Sequence, residues 1–204
     1  MAGAKESLSS ALFKKCVQFH GHQCPGLAIG YRAGRLAMEL LGVGRSKDED
    51  LVAAVESDSC SVDAVQVITG CTLGKGNLIF KDHGKQALTL GHRNNGKAVR
   101  VALLKGALPL YQEHRELYEK LRTGPASEDE MERFHERQQQ RALYILEAEA
   151  EGLFRIQRLD FEFPEKARIM KSEPCARCAE PTMITRLEKS PDGLLCLACR
   201  EHNH

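Results

Sequence analysis

Two cysteine pairs near the C-terminus restrict the folding of this 204-residue chain more than any other feature. Each pair has the spacing C-x-x-C, and seventeen residues separate the first pair from the second: Cys175, Cys178, Cys196 and Cys199. A segment of about 30 residues cannot bury enough apolar surface to fold alone, so a bound metal must contribute folding free energy. Four thiolates at this spacing predict a structural zinc site without an open position. A redox dithiol and a chance arrangement are the alternatives.

A second feature is the stretch 19–26, which reads FHGHQCPG and places His20, His22 and Cys24 within five residues. Pro25 suits the first position of a helix, because its missing N–H is not needed there. Cys24 then lies at the N-cap, where free N–H groups and the helix dipole favour a thiolate. Thiolate and neutral imidazole are ligands of zinc or another borderline-soft divalent ion. The alternative is a buried cysteine with two surface histidines.

Cys60 repeats this pattern, since it lies between a short apolar run at 51–55 and an apolar helical run that begins at Val62. It is a second candidate thiolate at a helix start. Asp58 either orients a ligand from outside the coordination sphere or caps the helix together with Ser61.

We expect Cys24 and Cys60 to lie within joint coordinating reach of at least one of His20 and His22. Three such ligands around one divalent ion leave a position for water or substrate, as in catalytic zinc sites. Without a metal, the same geometry predicts a low-pKa thiolate beside an imidazole, which is a candidate nucleophile. Cys24, Cys60 and His20 are therefore the candidate catalytic residues, and all four residues are candidate ligands of a second divalent metal.

The spacing of apolar residues predicts five strands and five helices before the C-terminal cysteine pairs. The predicted strands lie at 51–55, 77–81, 86–91, 97–104 and 153–163, and the predicted helices lie at 5–19, 25–42, 62–69, 107–121 and 127–150. An Asn-Gly pair at 95–96 predicts a hairpin, and a change of phase in the last strand predicts a bulge. A glycine-rich loop at 70–77 is either a plain turn or an anion cradle. His83 and His92 fall at strand ends, and we expect both to be exposed loop residues.

The helix predicted at 127–150 begins with a capping box from Ser127 to Glu130. Its apolar stripe consists of Met131, Phe134, Gln138, Ala142, Ile145 and Leu146. A stripe of this length needs a partner surface, so the sequence predicts a homodimer. His114 and His135 lie among charged residues, and we expect both to be solvated.

The composition narrows the partners that the chain can have. The 29 basic and 28 acidic residues balance, so no strong field points to nucleic acid or a membrane. Aromatic residues make up 5% of the chain and tryptophan is absent, which disfavours a base-stacking surface. The sequence contains no apolar run of membrane-spanning length. We therefore expect a cytoplasmic protein, whose eight cysteines are metal ligands or reactive thiols rather than disulfides.

Four motifs give the chain a resemblance to the FmdE family, which takes its name from the E subunit of formylmethanofuran dehydrogenase. They are FHGHQCPG at 19–26, YRAG at 31–34, DSCSVDA at 58–64 and TGCTLGKGN at 69–77. The tail resembles a treble-clef finger of the TraR/DksA type. The resemblance implies an α+β fold with an antiparallel sheet packed on helices, and dimerisation through helices. It also implies a pocket at His20, His22, Cys24 and Cys60. Cys71 is a further candidate member of this pocket.

These features predict a core domain over 1–163, a polar and basic linker over 164–174, and a zinc finger over 175–204. The family activity belongs to a molybdenum or tungsten complex that makes or oxidises a formylated C1 carrier. The sequence contains neither an iron–sulfur run nor a recognisable pterin site, so the resemblance favours an accessory role beside such a redox enzyme. The alternative is a non-catalytic adaptor that docks through its finger and its long helix.

Overall fold

The computed structural model describes residues 10–109 and 112–201, and the chain divides into a first unit over Met1–Lys166 and a second over Ala167–His204. The elements of the first unit are α1 (Ala11–His20), α2 (Pro25–Leu41), β1 (Leu51–Val55), α3 (Ser61–Thr69), β2 (Leu78–Phe80), β3 (Ala87–His92), β4 (Lys97–Leu103), α4 (Gln112–Thr123), α5 (Glu128–Glu147), α6 (Ala150–Leu153) and β5 (Phe154–Asp160). The start of the first predicted helix, at 5–9, lies outside the described residues. None of the described helices combines the length and the apolar character needed to cross a bilayer.

The five strands form one sheet in the order β2-β1-β3-β4-β5. All neighbouring pairs are antiparallel except β1 and β2, which are parallel. The predicted α+β class and the hairpin at 95–96 are confirmed, since β3 and β4 are joined by the turn that contains Gly96. The predicted bulge is wrong: β5 pairs with β4 in unbroken register and ends at Asp160. Phe161 and Phe163 lie beyond the strand and pack their rings against Gly91 of β3.

Helix α2 is buried along most of its length and lies between the sheet and the other helices. It begins as predicted, with Cys24 at the N-cap and Pro25 in the first turn. Two of its glycines permit close approach to α3. A Cβ added at Gly30 would lie 2.0 Å from the Ser61 carbonyl oxygen, and one at Gly34 would lie 3.2 Å from Ile68. This contact fixes where α3 begins relative to α2, and therefore where Cys60 lies.

Helix α5 begins at the predicted capping box, in which Ser127 and Glu130 bond each other's backbone. Its inner half is buried in the chain's own core through Ala142, Ile145 and Leu146. Arg32 of α2 is buried as well, and its guanidinium donates to carbonyl oxygens at the end of α5, at 3.1 Å from Ile145 and 2.8 Å from Ala148. A cation at this end of a helix also complements the helix dipole. The inner half of the stripe therefore needs no second subunit.

The outer half of α5 packs partly against α4. Phe134 stacks on His114, with 5.4 Å between the ring centroids. His114 is only 4% exposed, so the prediction of a solvated histidine is wrong at this position. Its burial, and then the charge of Arg141, whose Nη1 lies 2.6 Å from Nε2, lower the pKa of His114. His135 is exposed, as predicted. Residues 107–109, where we predicted the start of α4, are not helical; the described part of α4 begins at Gln112, and residues 110–111 lie outside the described part of the chain.

The second unit contains two small hairpins and a terminal helix. Its elements are β6 (Ser172–Pro174), β7 (Pro181–Met183), a 3-10 turn (Ile184–Arg186), β8 (Leu187–Ser190), β9 (Gly193–Cys196) and α7 (Leu197–Glu201). Strand β6 pairs with β7 and β8 pairs with β9, both antiparallel. Residues 172–174, which we assigned to a linker, form β6 of the second unit.

Candidate metal centre and adjoining cavity

Three of the predicted ligands come together in the first unit. The Nε2 or Nδ1 atom of His20 and the Sγ atoms of Cys24 and Cys60 all lie within 4.8 Å of one another. The Cys24 sulfur is 3.9 Å from Nε2 of His20. All three side chains are partly buried, neither sealed in the core nor fully exposed. Two thiols and an imidazole at this separation fit a zinc or similar divalent ion, with the three residues as its ligands.

The C-terminus of α1 and the N-termini of α2 and α3 converge to form this cluster. Helix α1 ends at His20, and Gly21, with a φ of 95°, turns the chain towards the start of α2. Cys24 is the N-cap of α2, and its sulfur accepts a hydrogen bond from the Leu27 N–H at 3.3 Å. Cys60 immediately precedes α3 and makes no capping hydrogen bond, so its sulfur is not occupied by the helix end.

Gly26 lies where the two cysteines meet. A Cβ added there would lie 3.1 Å from Cβ of Cys60 and 3.9 Å from the Cys24 sulfur. A methyl group here would require the Cys60 Cβ to shift by a few tenths of an ångström, whereas its contacts with both sulfurs would be ordinary. Gly26 therefore allows α2 to pack closely against Cys60.

Asp63 holds the histidine of the cluster. Its Oδ2 lies 2.7 Å from Nδ1 of His20, and the His20 side chain is only 12% exposed. Because an ionised carboxylate only accepts, Nδ1 carries the proton and Nε2 keeps its lone pair on the side of Cys24. Carboxylates hold metal-binding histidines in this way. We assigned this kind of role to Asp58, and Asp63 was missed. The signal was present, because Asp63 lies three residues after Cys60 and so on the same side of α3.

The predicted low pKa of Cys24 is wrong for the metal-free chain. Burial, and secondly the neighbouring Cys60, outweigh the helix N-terminus and raise the pKa of Cys24 to about 11. Cys24 is therefore a neutral thiol at physiological pH when no cation is present. A divalent ion reverses this preference, because metal coordination requires the thiolate. The geometry thus favours a ligand over a free nucleophile.

The other candidates lie outside the cluster. His22 is exposed, and its ring packs against His20 with 4.5 Å between centroids. Cys71 is buried in the core, where burial raises the pKa of its thiol. His83 is exposed, as predicted, and its Nδ1 lies 3.3 Å from Oε2 of Glu56. His92 is half-buried in β3 rather than in a loop, so its predicted exposure is wrong. The loop 70–77 is a turn, tied to the sheet by the buried side chain of Asn77.

A cavity of about 480 Å³ adjoins the cluster, with His20 and Cys60 in its wall. Its other lining residues are Val55, Ser57, Asp58, Ser59, Val62, Asp63, Gln66, Leu73, Leu78 and Phe80. Ligand sites in proteins have volumes of roughly 300 to 1,000 Å³. A small molecule in this cavity would lie beside two of the three coordinating side chains.

The second unit contains a four-cysteine cluster. The sulfur atoms of Cys175, Cys178, Cys196 and Cys199 all lie within 4.8 Å of one another. Cys175 and Cys178 flank the β6–β7 turn, Cys196 ends β9, and Cys199 lies in α7. Backbone N–H groups, first that of Cys178, lower the pKa of Cys175 to about 6. The contact with Cys196 contributes most to raising the pKa of Cys199. Four thiolates at one point repel one another unless a cation is bound, so this cluster could bind zinc.

Comparison with known proteins identifies similar chains. Residues 19–155 match the family model described as FmdE, molybdenum formylmethanofuran dehydrogenase operon. A probable S-adenosyl-L-methionine-binding protein of Archaeoglobus fulgidus is 38% identical over 203 residues, a match that covers 95% of this chain and 54% of that protein. The chain thus spans about half the length of this curated relative. A crystal structure from Syntrophus aciditrophicus, of a protein like the E subunit (FmdE) of tungsten formylmethanofuran dehydrogenase, is similar at a TM-score of 0.62 and 26% identity, and the match covers 100% of this chain and 99% of that chain.

Proposed function

Since the chain belongs to the FmdE family, we propose that it is a metal-binding accessory protein of a molybdenum- or tungsten-dependent redox or C1 enzyme. Its working centre is the cluster of His20, Cys24 and Cys60. Its second unit is a structural zinc finger of the treble-clef type. The two clusters of coordinating side chains support the metal-binding part of this proposal. The family description and the tungsten-enzyme name of the similar structure support the accessory part.

The observation that carries the proposal is a cluster of three coordinating side chains, two of which, His20 and Cys60, line a 480 Å³ cavity. Three protein ligands leave one position of a tetrahedral ion for water or a small molecule. A zinc site with only a structural role has four protein ligands, as the finger does. The bound ion would supply Lewis acidity. The chain's own contribution is to hold His20 by Asp63 and to bring the two thiols together at the ends of α2 and α3.

Metal analysis of the purified full chain tests the centre. We expect two divalent ions per chain in the wild type, and one in either of two variants, Cys60→Ser or Cys178→Ser. The two variants are matched, because each removes one thiol from a different cluster. A wild-type content of one ion per chain that Cys60→Ser leaves unchanged would overturn the proposed centre.

The accessory role needs a separate experiment that also tests the adaptor alternative. The tagged chain is purified without oxygen from its native cells, and molybdenum and tungsten are measured in the fractions that contain it. We expect one of these metals to co-elute with the wild type and to be lost with Cys60→Ser. If deletion of 167–204 abolishes co-elution and Cys60→Ser does not, the chain is an adaptor. Absence of both metals from the wild-type fractions would refute the accessory role.

S-adenosyl-L-methionine binding is a second candidate function, because the relative at 38% identity is named for it. That name describes a protein of which this chain matches about half. Calorimetric titration of the chain with S-adenosyl-L-methionine tests the candidate directly. One-to-one binding that a cavity variant, Phe80→Ala, weakens would support it. Absence of binding would sink it for this chain and would leave the metal centre unaffected.

A further inference from the structure

We propose that the cavity beside His20, Cys24 and Cys60 binds a small organic amine in its cationic form, and that Asp58 selects this charge. The inference rests on the proposed function only in placing the amine beside the metal centre. It adds a class of ligand that the family description does not give. It is carried by the charge, the exposure and the chemistry of the residues that line the cavity.

The cavity wall is acidic, because its one basic lining residue, His20, is already held by Asp63. Among its lining residues are two carboxylates, Asp58 and Asp63, but no lysine or arginine. The thiolates of Cys24 and Cys60 would cancel the charge of a divalent ion bound between them, so such an ion adds no net positive charge to the wall. Phosphate and carboxylate ligands are therefore disfavoured, and a cation is favoured.

The two carboxylates have different tasks. Asp63 is already engaged, because it holds His20 at 2.7 Å. Asp58 is exposed, and it makes no hydrogen bond or ion pair with the described residues. Two lysines lie close in sequence to the apolar lining. Lys75 directs its Nζ to the Asp48 carbonyl oxygen at 3.2 Å, and Lys81 is exposed and does not line the cavity. The Asp58 carboxylate is thus the free anion of the cavity, available to pair with an ammonium group.

The apolar part of the cavity explains why the ligand is an organic cation rather than a metal ion. Leu73 is 76% exposed and Phe80 is 52% exposed, and both line the cavity together with Val62. Large apolar side chains with this exposure lose water contact when a hydrocarbon body covers them. An aromatic face also attracts a cation. An amine with an apolar body satisfies both the carboxylate and the apolar wall.

Three probes of nearly equal shape separate the effect of charge from that of size. They are 2-phenylethylamine, 2-phenylethanol and 3-phenylpropanoate, which are cationic, neutral and anionic at pH 7. Each is titrated into the full chain while the NMR amide shifts of residues 57–63 and 80 are followed. Metal content is measured on the same samples. We expect the amine to bind tightest and the carboxylate weakest.

Variants at Asp58 assign the selection to this residue. Asp58→Asn should weaken amine binding about two- to fivefold, the range of a partly exposed ion pair, and leave the alcohol unchanged. Asp58→Lys should reverse the order of amine and carboxylate. Asp82→Asn is the matched control, because Asp82 is exposed but does not line the cavity, and we expect it to change nothing.

The outcomes are distinct from those of the proposed function. Equal binding of the three probes, no binding of any of them, or an order that Asp58→Lys leaves intact would each overturn the inference. An absent metal at the His20 cluster would sink the proposed function alone, since Asp58 is not one of the three coordinating side chains. A charge order that disappears at 1 M salt supports the ion pair, because salt screens exposed charges.

Discussion

The contact between Asp63 and His20 gives the sharpest test of the metal centre. Asp63→Asn keeps the size of the side chain but removes its charge. The amide oxygen of asparagine still accepts a hydrogen bond from Nδ1 of His20, so the ring keeps its orientation. What is lost is the charge assistance of a 2.7 Å hydrogen bond. Asp63→Ala removes the whole contact, so of the two variants it should have the larger effect on metal affinity.

The geometry sets the expected magnitude. A hydrogen bond to a charged group contributes about 1.5 to 3 kcal/mol when it is shielded from water. The Asp63 side chain is 36% exposed and that of His20 is 12% exposed. Solvent therefore screens part of the interaction between them. We expect Asp63→Asn to weaken metal binding at the His20 cluster by about 1.4 kcal/mol, which is a tenfold loss of affinity. For Asp63→Ala, the expected loss is up to about a hundredfold.

Competition with a zinc chelator measures both affinities in one sample. The four-cysteine cluster is an internal reference, because Asp63 is not among its ligands. Asp58→Asn is the matched control, since Asp58 lies five residues before Asp63 and lines the same cavity without contacting His20. We expect this control to change the affinity of the His20 cluster by less than about twofold. Thermal unfolding shows whether the variants remain folded.

Two results would refute the reasoning. One is an unchanged affinity of the His20 cluster in Asp63→Ala, which would mean that His20 does not depend on this contact or is not a ligand. The other is an equal loss in Asp58→Asn, which would mean that general negative charge matters and the hydrogen bond does not. A loss confined to Asp63 variants supports the assignment.

Four further predictions can be checked independently. Cys178→Ser should remove one metal per chain and make the second unit protease-sensitive while the first unit stays folded; a resistant tail would contradict this. The Arg100 guanidinium lowers the pKa of Glu56 from 4.5 to about 2. Ionised Glu56 therefore contributes about 3 kcal/mol of stability, which is present above pH 4.5 and is lost as the pH falls towards 2. In urea unfolding at several pH values, Glu56→Gln should remove this pH dependence of stability. Gly30→Ala should destabilise the first unit by at least about 2 kcal/mol, because its Cβ would lie 2.0 Å from the Ser61 carbonyl oxygen, and an unchanged urea midpoint would contradict the close contact. The chain should sediment as a dimer at micromolar concentration, with Met131 of the outer half of α5 in the interface, and a monomer would count against it.

Features that depend on neighbouring residues could be predicted from the sequence. The N-cap at Cys24 with Pro25 after it, the capping box at Ser127, and the hairpin at 95–96 all arise from contacts within a few residues. The four-cysteine cluster is similar, because two C-x-x-C pairs in a segment too short to fold alone leave few other outcomes. In β4, Val99 and Val101 alternate with Arg100, a pattern typical of a strand with one buried face, and both valines are buried.

Tertiary structure decided the features that depend on distant residues. Asp63 reaches His20 across 43 positions of the chain, and the packing of α3 against α1 and α2 brings them together. Cys24 shows the limit of local reasoning: its helix end favours a thiolate, yet burial beside Cys60 raises the pKa. The same holds for His114, whose polar neighbours in sequence suggest solvent although it is buried. Hydrogen bonds at helix ends act over a few residues, whereas burial depends on everything that packs around a group, and that is defined only in the folded chain.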